Sequence, residues 1–173
     1  MSVPDLIPIR YEPDYRTRTI GRCEGGQFLA SVTAAFPEVG TDVGNWQAQK
    51  RWFAVLHRFD DAGRHLDSRI HSTGTTADGE KAAVEAARVL LADWLDALPG
   101  RAYGDIAIAP FAVRVEGSLF GLVIETDEED ETDEDKEEEG EEEEGEDGEG
   151  GVWAELYPDG LGFHAPWDGC YDT

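Results

Sequence analysis

The side chains that could do chemistry in this sequence are few and widely spaced. Four histidines (His57, His65, His71 and His164) and two cysteines (Cys23 and Cys170) are the possible soft metal ligands and nucleophiles. A structural zinc site normally shows close-spaced ligand pairs, and none occurs here. His65 and His71 are six residues apart in an expected strand. That is roughly 20 Å at strand rise, too far to share an ion. Cys23 with His57 is the one Cys/His pairing on offer for nucleophilic catalysis, and nothing in their spacing links them. Gly117-Ser118-Leu119-Phe120-Gly121 has its serine one place off the nucleophile-elbow pattern and reads as a hairpin turn. No glycine-rich phosphate loop with a following lysine is present. No catalytic, cofactor-binding or metal-binding residue is therefore assigned, and no cofactor is expected. The richest stretch is C-terminal: Tyr157, Asp159, Phe163, His164, Trp167, Asp168, Tyr171 and Asp172, interspersed with glycine and proline. Aromatic and acidic side chains on a shaped loop can form a protein-binding surface, with Tyr157, Phe163, His164, Trp167, Asp168 and Tyr171 as candidates. They can equally pack the chain end onto the body, with Asp159 and Asp168 as turn residues. The arginines of the N-terminal arm, Arg10, Arg16, Arg18 and Arg22, are positioned to pair with these acids.

Charge divides the chain into two objects. The 173 residues carry 39 Asp+Glu against 14 Lys+Arg, a net charge of -25. Between Glu125 and Glu149 there are 19 acids and one base, Lys136, which leaves 20 acids and 13 bases in the other 148 residues. Residues 125–151 are thus an acidic, glycine-broken insert with nothing to bury, expected to be disordered. They lie between residues 1–124 and 152–173, which together make one domain. An EF-hand needs acids at alternating positions around a central glycine, then a twelfth-position Glu; Asp127, Asp133 and Asp135 do not supply that frame. The insert suits solvation, or docking onto a basic protein partner by electrostatic steering. Nucleic acid is excluded as a partner by the sign of the charge. A membrane is excluded by the lack of any apolar run near 20 residues. No basic stretch followed by an apolar core opens the chain, so the expected location is cytoplasmic, with the two cysteines reduced.

The elements that must carry these residues follow from periodicity. Pro4, Pro8 and Pro13 make residues 1–16 an extended arm. Residues 17–23 and 27–35 read as strands joined by Glu24-Gly25-Gly26. The second alternates Phe28, Ala30, Val32, Ala34 and Phe36 against Leu29, Ser31, Thr33 and Ala35. Residues 51–60 place Phe53, Val55, His57 and Phe59 on one face, and 64–72 return after a turn. There Leu66, Ser68 and Ile70 face one way, and His65, Asp67, Arg69 and His71 face solvent. Glu80 to Leu98 is one long helix with its stripe at Val84, Ala87, Leu91, Trp94, Leu95 and Leu98, ended by Pro99-Gly100. Thr75, Thr76 and Asp78 are its possible caps. Residues 106–115 and 119–125 form a hairpin interrupted by Pro110, which predicts an edge or a bulge. Strands at 152–157 and 161–164 close the chain. The fold class is α+β: a mostly antiparallel sheet covered by one long helix, with the disordered acidic loop inserted between strands.

The segments IPIRYEPDYRTRTIGR (Ile7 to Arg22), DALPGRAYGDIAIAPF (Asp96 to Phe111) and ELYPDGLGFHAPWDGCYDT (Glu155 to Thr173) resemble a group of small actinobacterial proteins labelled formate hydrogenlyase regulatory protein. The likeness covers the body and not the acidic insert. It implies a cytoplasmic regulatory protein and carries over no catalytic residue. The expected function is a non-enzymatic cytoplasmic regulatory or protein-binding protein, acting through its acidic surface and aromatic C-terminal loop. The alternatives are an immunity-type inhibitor of a basic toxin, and a small hydrolase or ligand-binding enzyme.

Overall fold

A computed structural model describes residues 3–36, 45–126 and 151–172. In chain order the elements are β1 (Ile7–Ile9), β2 (Ile20–Cys23), β3 (Gly26–Ala35), α1 (Trp46–Gln49), β4 (Arg51–Phe59) and β5 (His65–Thr75). They continue with α2 (Thr76–Asp96), β6 (Ala102–Tyr103), β7 (Ile106–Ile108), β8 (Phe111–Val115), β9 (Ser118–Thr126), β10 (Val152–Tyr157) and β11 (Leu161–His164). The fold is α+β with antiparallel pairing throughout.

The strands divide into a five-stranded sheet, β5-β4-β3-β2-β6, a four-stranded sheet, β11-β10-β9-β8, and the pair β1-β7. The two apolar faces of β3 explain the layering. Phe28 and Ala30, with Ala54 and Leu56 of β4, pack under Ala87, Leu91 and Leu95 of α2. Leu29, with Phe59 of β4, faces the other way, onto Leu122, Ala154, Leu156 and Phe163 of the second sheet. Phe53 and Val55 meet Phe120 on that same side, with the Phe53 and Phe120 rings 5.1 Å apart and edge-on. The five-stranded sheet is thus the middle of three layers, and the long helix covers only one of its faces.

One end of the inter-sheet core is sealed by β1 and β7, whose Ile7, Ile9, Ile106 and Ile108 are all buried. Gln27, 2 % exposed, joins this pair to the middle sheet. Its Nε2 donates to the carbonyl of Ala107 at 3.0 Å, and its Oε1 accepts from the N–H of Ala107 at 2.9 Å. The side-chain amide thereby completes the hydrogen bonds of a strand that lacks a backbone neighbour on that side.

α2 starts with a capping box: Thr75 Oγ1 accepts from the N–H of Asp78, and the Asp78 carboxylate accepts from the N–H of Thr75. The helix begins four residues earlier than expected because it runs across a kink at Gly79, whose φ is 125°. Its buried residues are Ala83, Ala87, Leu91 and Leu95. Ala83 replaces the expected Val84, and Trp94 is only half-buried, with the Arg69 guanidinium 6.0 Å above its ring.

The expected strand at residues 17–23 begins only at Ile20, so Arg16 and Arg18 lie in the turn before β2. Pro110 separates β7 from β8, and β8 is an edge of the four-stranded sheet, as its proline predicts. The return strand carries a correction. Between Arg58 and Phe59 the register with β5 shifts, so that Arg58 opposes Asp67 while Phe59 opposes His65. Leu66 is the extra residue, and a single inserted residue reverses the facing of everything beyond it. His65 therefore lies on the Ser68 face, and Leu66 is 55 % exposed.

β9 and β10 pair directly, with Thr126 opposite Val152, so the acidic run connects the two strands of one hairpin. Its first two residues, Glu125 and Thr126, belong to β9. The disorder expected for the run concerns residues 127–150, outside the described residues. Among the described residues, no helix is long and apolar enough to cross a membrane.

Candidate functional site

The C-terminal residues singled out by type are held mainly by the body itself. Phe163 is 1 % exposed in the inter-sheet core, and the Tyr171 ring stands 5.8 Å from it. Trp167 packs against the same core, its indole N–H buried without an acceptor among the described residues. The Tyr157 hydroxyl donates to Glu125 Oε1 at 2.7 Å, and burial together with Glu155 and Glu125 pushes its pKa well above the ordinary phenol value. Asp168 makes a turn by accepting from the N–H of Cys170 at 3.0 Å. That contact holds its carboxyl below the usual range. His164 is exposed and lies 2.5 Å from Asp172, which raises its pKa. Gly162 and Asp172 form a backbone bridge that lays the chain end alongside β11.

The Cys/His pairing does not form. Cys23 packs with the core under α2, whereas His57 lies on the opposite face of the sheet. Cys23 and Cys170 are both free thiols, and burial raises the pKa of Cys23. The bulge at Leu66 instead assembles a small polar group: Ser68 Oγ lies 2.6 Å from His57 Nδ1 and 2.7 Å from His65 Nε2. Phe111 packs edge-on to His57 and stacks on His65, each at 4.7 Å. Burial lowers the His57 pKa to about 3, so the ring is neutral near pH 7. A neutral, enclosed imidazole that hydrogen-bonds a serine is a satisfied interior polar group.

A cavity of about 810 Å³ opens elsewhere, at the top of the middle sheet. Its origin is a difference in strand length: β3 has ten residues and β2 only four. β2 pairs with β3 as far as Ile20 opposite Leu29, and Thr19 adds one more rung by accepting from the N–H of Ala30 at 2.9 Å. The Thr19 hydroxyl donates to the Ala30 carbonyl, and the arm then turns away. Beyond Ala30, β3 has β4 on one side and the cavity on the other. α2 supplies one wall through Arg88, Leu91 and Leu95, and Asp14, Tyr15, Arg16, Arg18 and Thr19 of the arm supply another. Lys50 and Trp52 close one end, and Pro158 and Asp159 reach in from the second sheet.

The cavity is cationic in a strongly acidic protein. Arg16, Arg18, Lys50 and Arg88 line it, against Asp14 and Asp159. Lys50 is engaged, its Nζ 3.7 Å from Glu80 and 5.0 Å from the Trp52 ring centroid. Asp159, expected to be a turn residue, accepts a hydrogen bond from the Thr33 hydroxyl. Burial raises its pKa, opposed by that hydrogen bond and by Arg16. The charge of Arg16 acts on this C-terminal acid, with no ion pair between the two among the described residues. Among the described residues, no ion pair engages Arg18 or Arg88. Lys50, Trp52 and Arg88 were not legible in the sequence because they come from separate stretches: the approach to β4, β4 itself and α2. The available signal for Arg88 was its place beside Ala87, on the border of the apolar stripe.

Comparison of the chain with protein-family models, with curated proteins and with solved structures finds no match.

Proposed function

We propose that this is a non-enzymatic binding protein whose described body receives an anionic ligand in the cavity beside β3. The observation that supports this reading is that Arg18 and Arg88, which have no carboxylate partner among the described residues, gather with Arg16 around a concave site. Cations left over around a cavity bind anions best where the walls exclude part of the solvent. A regulatory role through a protein partner agrees with such a site, and it moves the point of contact from the aromatic chain end to the arginine cavity.

Calorimetric titration with poly-glutamate, poly-lysine and inorganic phosphate tests the reading. Saturable binding of an anionic probe is expected, weakening as salt rises. It should be lost in the combined variant Arg16→Gln, Arg18→Gln, Arg88→Gln. Binding of poly-lysine alone, or anion binding that survives the triple variant, refutes it.

A further inference from the structure

We infer that the anionic ligand is an extended acidic peptide of a partner protein, which joins the five-stranded sheet as an added strand beside the upper half of β3; this rests on the cavity being the binding site. The backbone argues for it. In an antiparallel ladder the N–H and C=O groups of successive residues point alternately to the two neighbours. Ala30 directs its N–H and C=O to Thr19. By that alternation, Val32 and Ala34 direct theirs to the same side, into the cavity. Among the described residues no strand pairs with them there. Both residues line the cavity.

The open edge has no proline or bulge of the kind that normally blunts one. It is flanked instead by the arm and the helix, whose residues line the cavity with it. A small anion would satisfy the guanidinium groups and leave the main chain of Val32 and Ala34 to water. An extended peptide uses both sets of groups at once. Its side chains alternate between the helix side, where Arg88 stands beside Leu91 and Leu95, and the second-sheet side, where Arg16 stands beside Asp159. Arg18 and Arg88, without an ion pair among the described residues, select acidic side chains in the added strand.

The test uses the full chain and the blocked hexapeptide acetyl-Glu-Val-Glu-Val-Glu-Val-amide. Two further versions are N-methylated at alternate residues, odd or even. Only one of the two sets can face β3. The proposal expects one N-methylated peptide to bind at least about tenfold more weakly, from loss of about two hydrogen bonds, and the other to change less than about twofold. The amide resonances of Val32 and Ala34 should shift on binding, and Arg88→Gln should weaken it severalfold. Equal tolerance of both N-methylated peptides overturns strand addition. Binding of ATP or inorganic phosphate without the peptide also overturns it, but leaves the anion site standing. If no anionic probe binds, the site itself is wrong. A signal that follows self-association in sedimentation assigns the edge to a second copy of the chain and likewise overturns the proposal.

Discussion

The C-terminal stretch and the arginine cavity make an instructive pair. The first concentrates aromatic, acidic and imidazole side chains within 16 residues, and the fold uses them: Phe163 in the core, Tyr171 beside it, Asp168 in a turn, Tyr157 on Glu125. The second draws ordinary residues from the arm, from β3, from the approach to β4, from α2 and from the β10–β11 turn, and leaves Arg18 and Arg88 without an ion pair among the described residues. A site is better recognised by unspent bonding capacity than by the density of reactive residue types.

Four measurements bear on that contrast. The largest effect is expected from acid acting on the packed interior. His57 has a folded pKa of about 3, below the ordinary 6.5. The unfolded chain therefore binds the extra proton, and stability falls as pH drops below about 6.5 toward 3, by up to about 5 kcal/mol from this group alone. Denaturant melts of the wild type and His57→Gln between pH 6.5 and 4 should differ in slope by close to one proton. Equal slopes would mean the imidazole is not enclosed. Next, Phe163→Ala should cost about 3–5 kcal/mol in the same melts and leave poly-glutamate affinity unchanged. A loss of binding without loss of stability would return the chain end to the status of a recognition surface. Thr33→Val removes the hydroxyl that bonds the inward-facing Asp159 and should cost about 1–2 kcal/mol. The smallest stability effect belongs to the triple arginine variant, expected within about ±0.5 kcal/mol of wild type. A larger loss would show that Arg16, Arg18 and Arg88 are structural.

Much of the fold was legible because its signals are local. The hairpin glycines, the period-two alternation of β3 and β4, the helix stripe and the Pro110 break each depend on a few adjacent residues. The three-layer order was half visible: both faces of β3 are apolar at its start, as a middle strand requires, but alternation does not say which strands share a sheet. His65 was misplaced because parity counting assumes an unbroken strand, and the Leu66 bulge carries no glycine or proline to announce it. The cavity was illegible for a different reason. It arises where a four-residue strand lies beside a ten-residue one, and its walls come from segments more than 140 residues apart in the chain. The sign of their charges grouped the arm arginines, Arg16 and Arg18 among them, with the C-terminal acids, Asp159 included, without saying which would come together.

The direct rung between Thr126 and Val152 has a practical meaning. Chain leaving β9 must come back to nearly the same point, so the hairpin fixes the spacing of those two ends. Each doubling of the connecting length should change stability by only about 0.6 kcal/mol. That makes the hairpin a natural socket: a fluorescent reporter whose own termini are close together could be spliced in place of residues 127–150, turning the protein into a sensor without redesign of its layers.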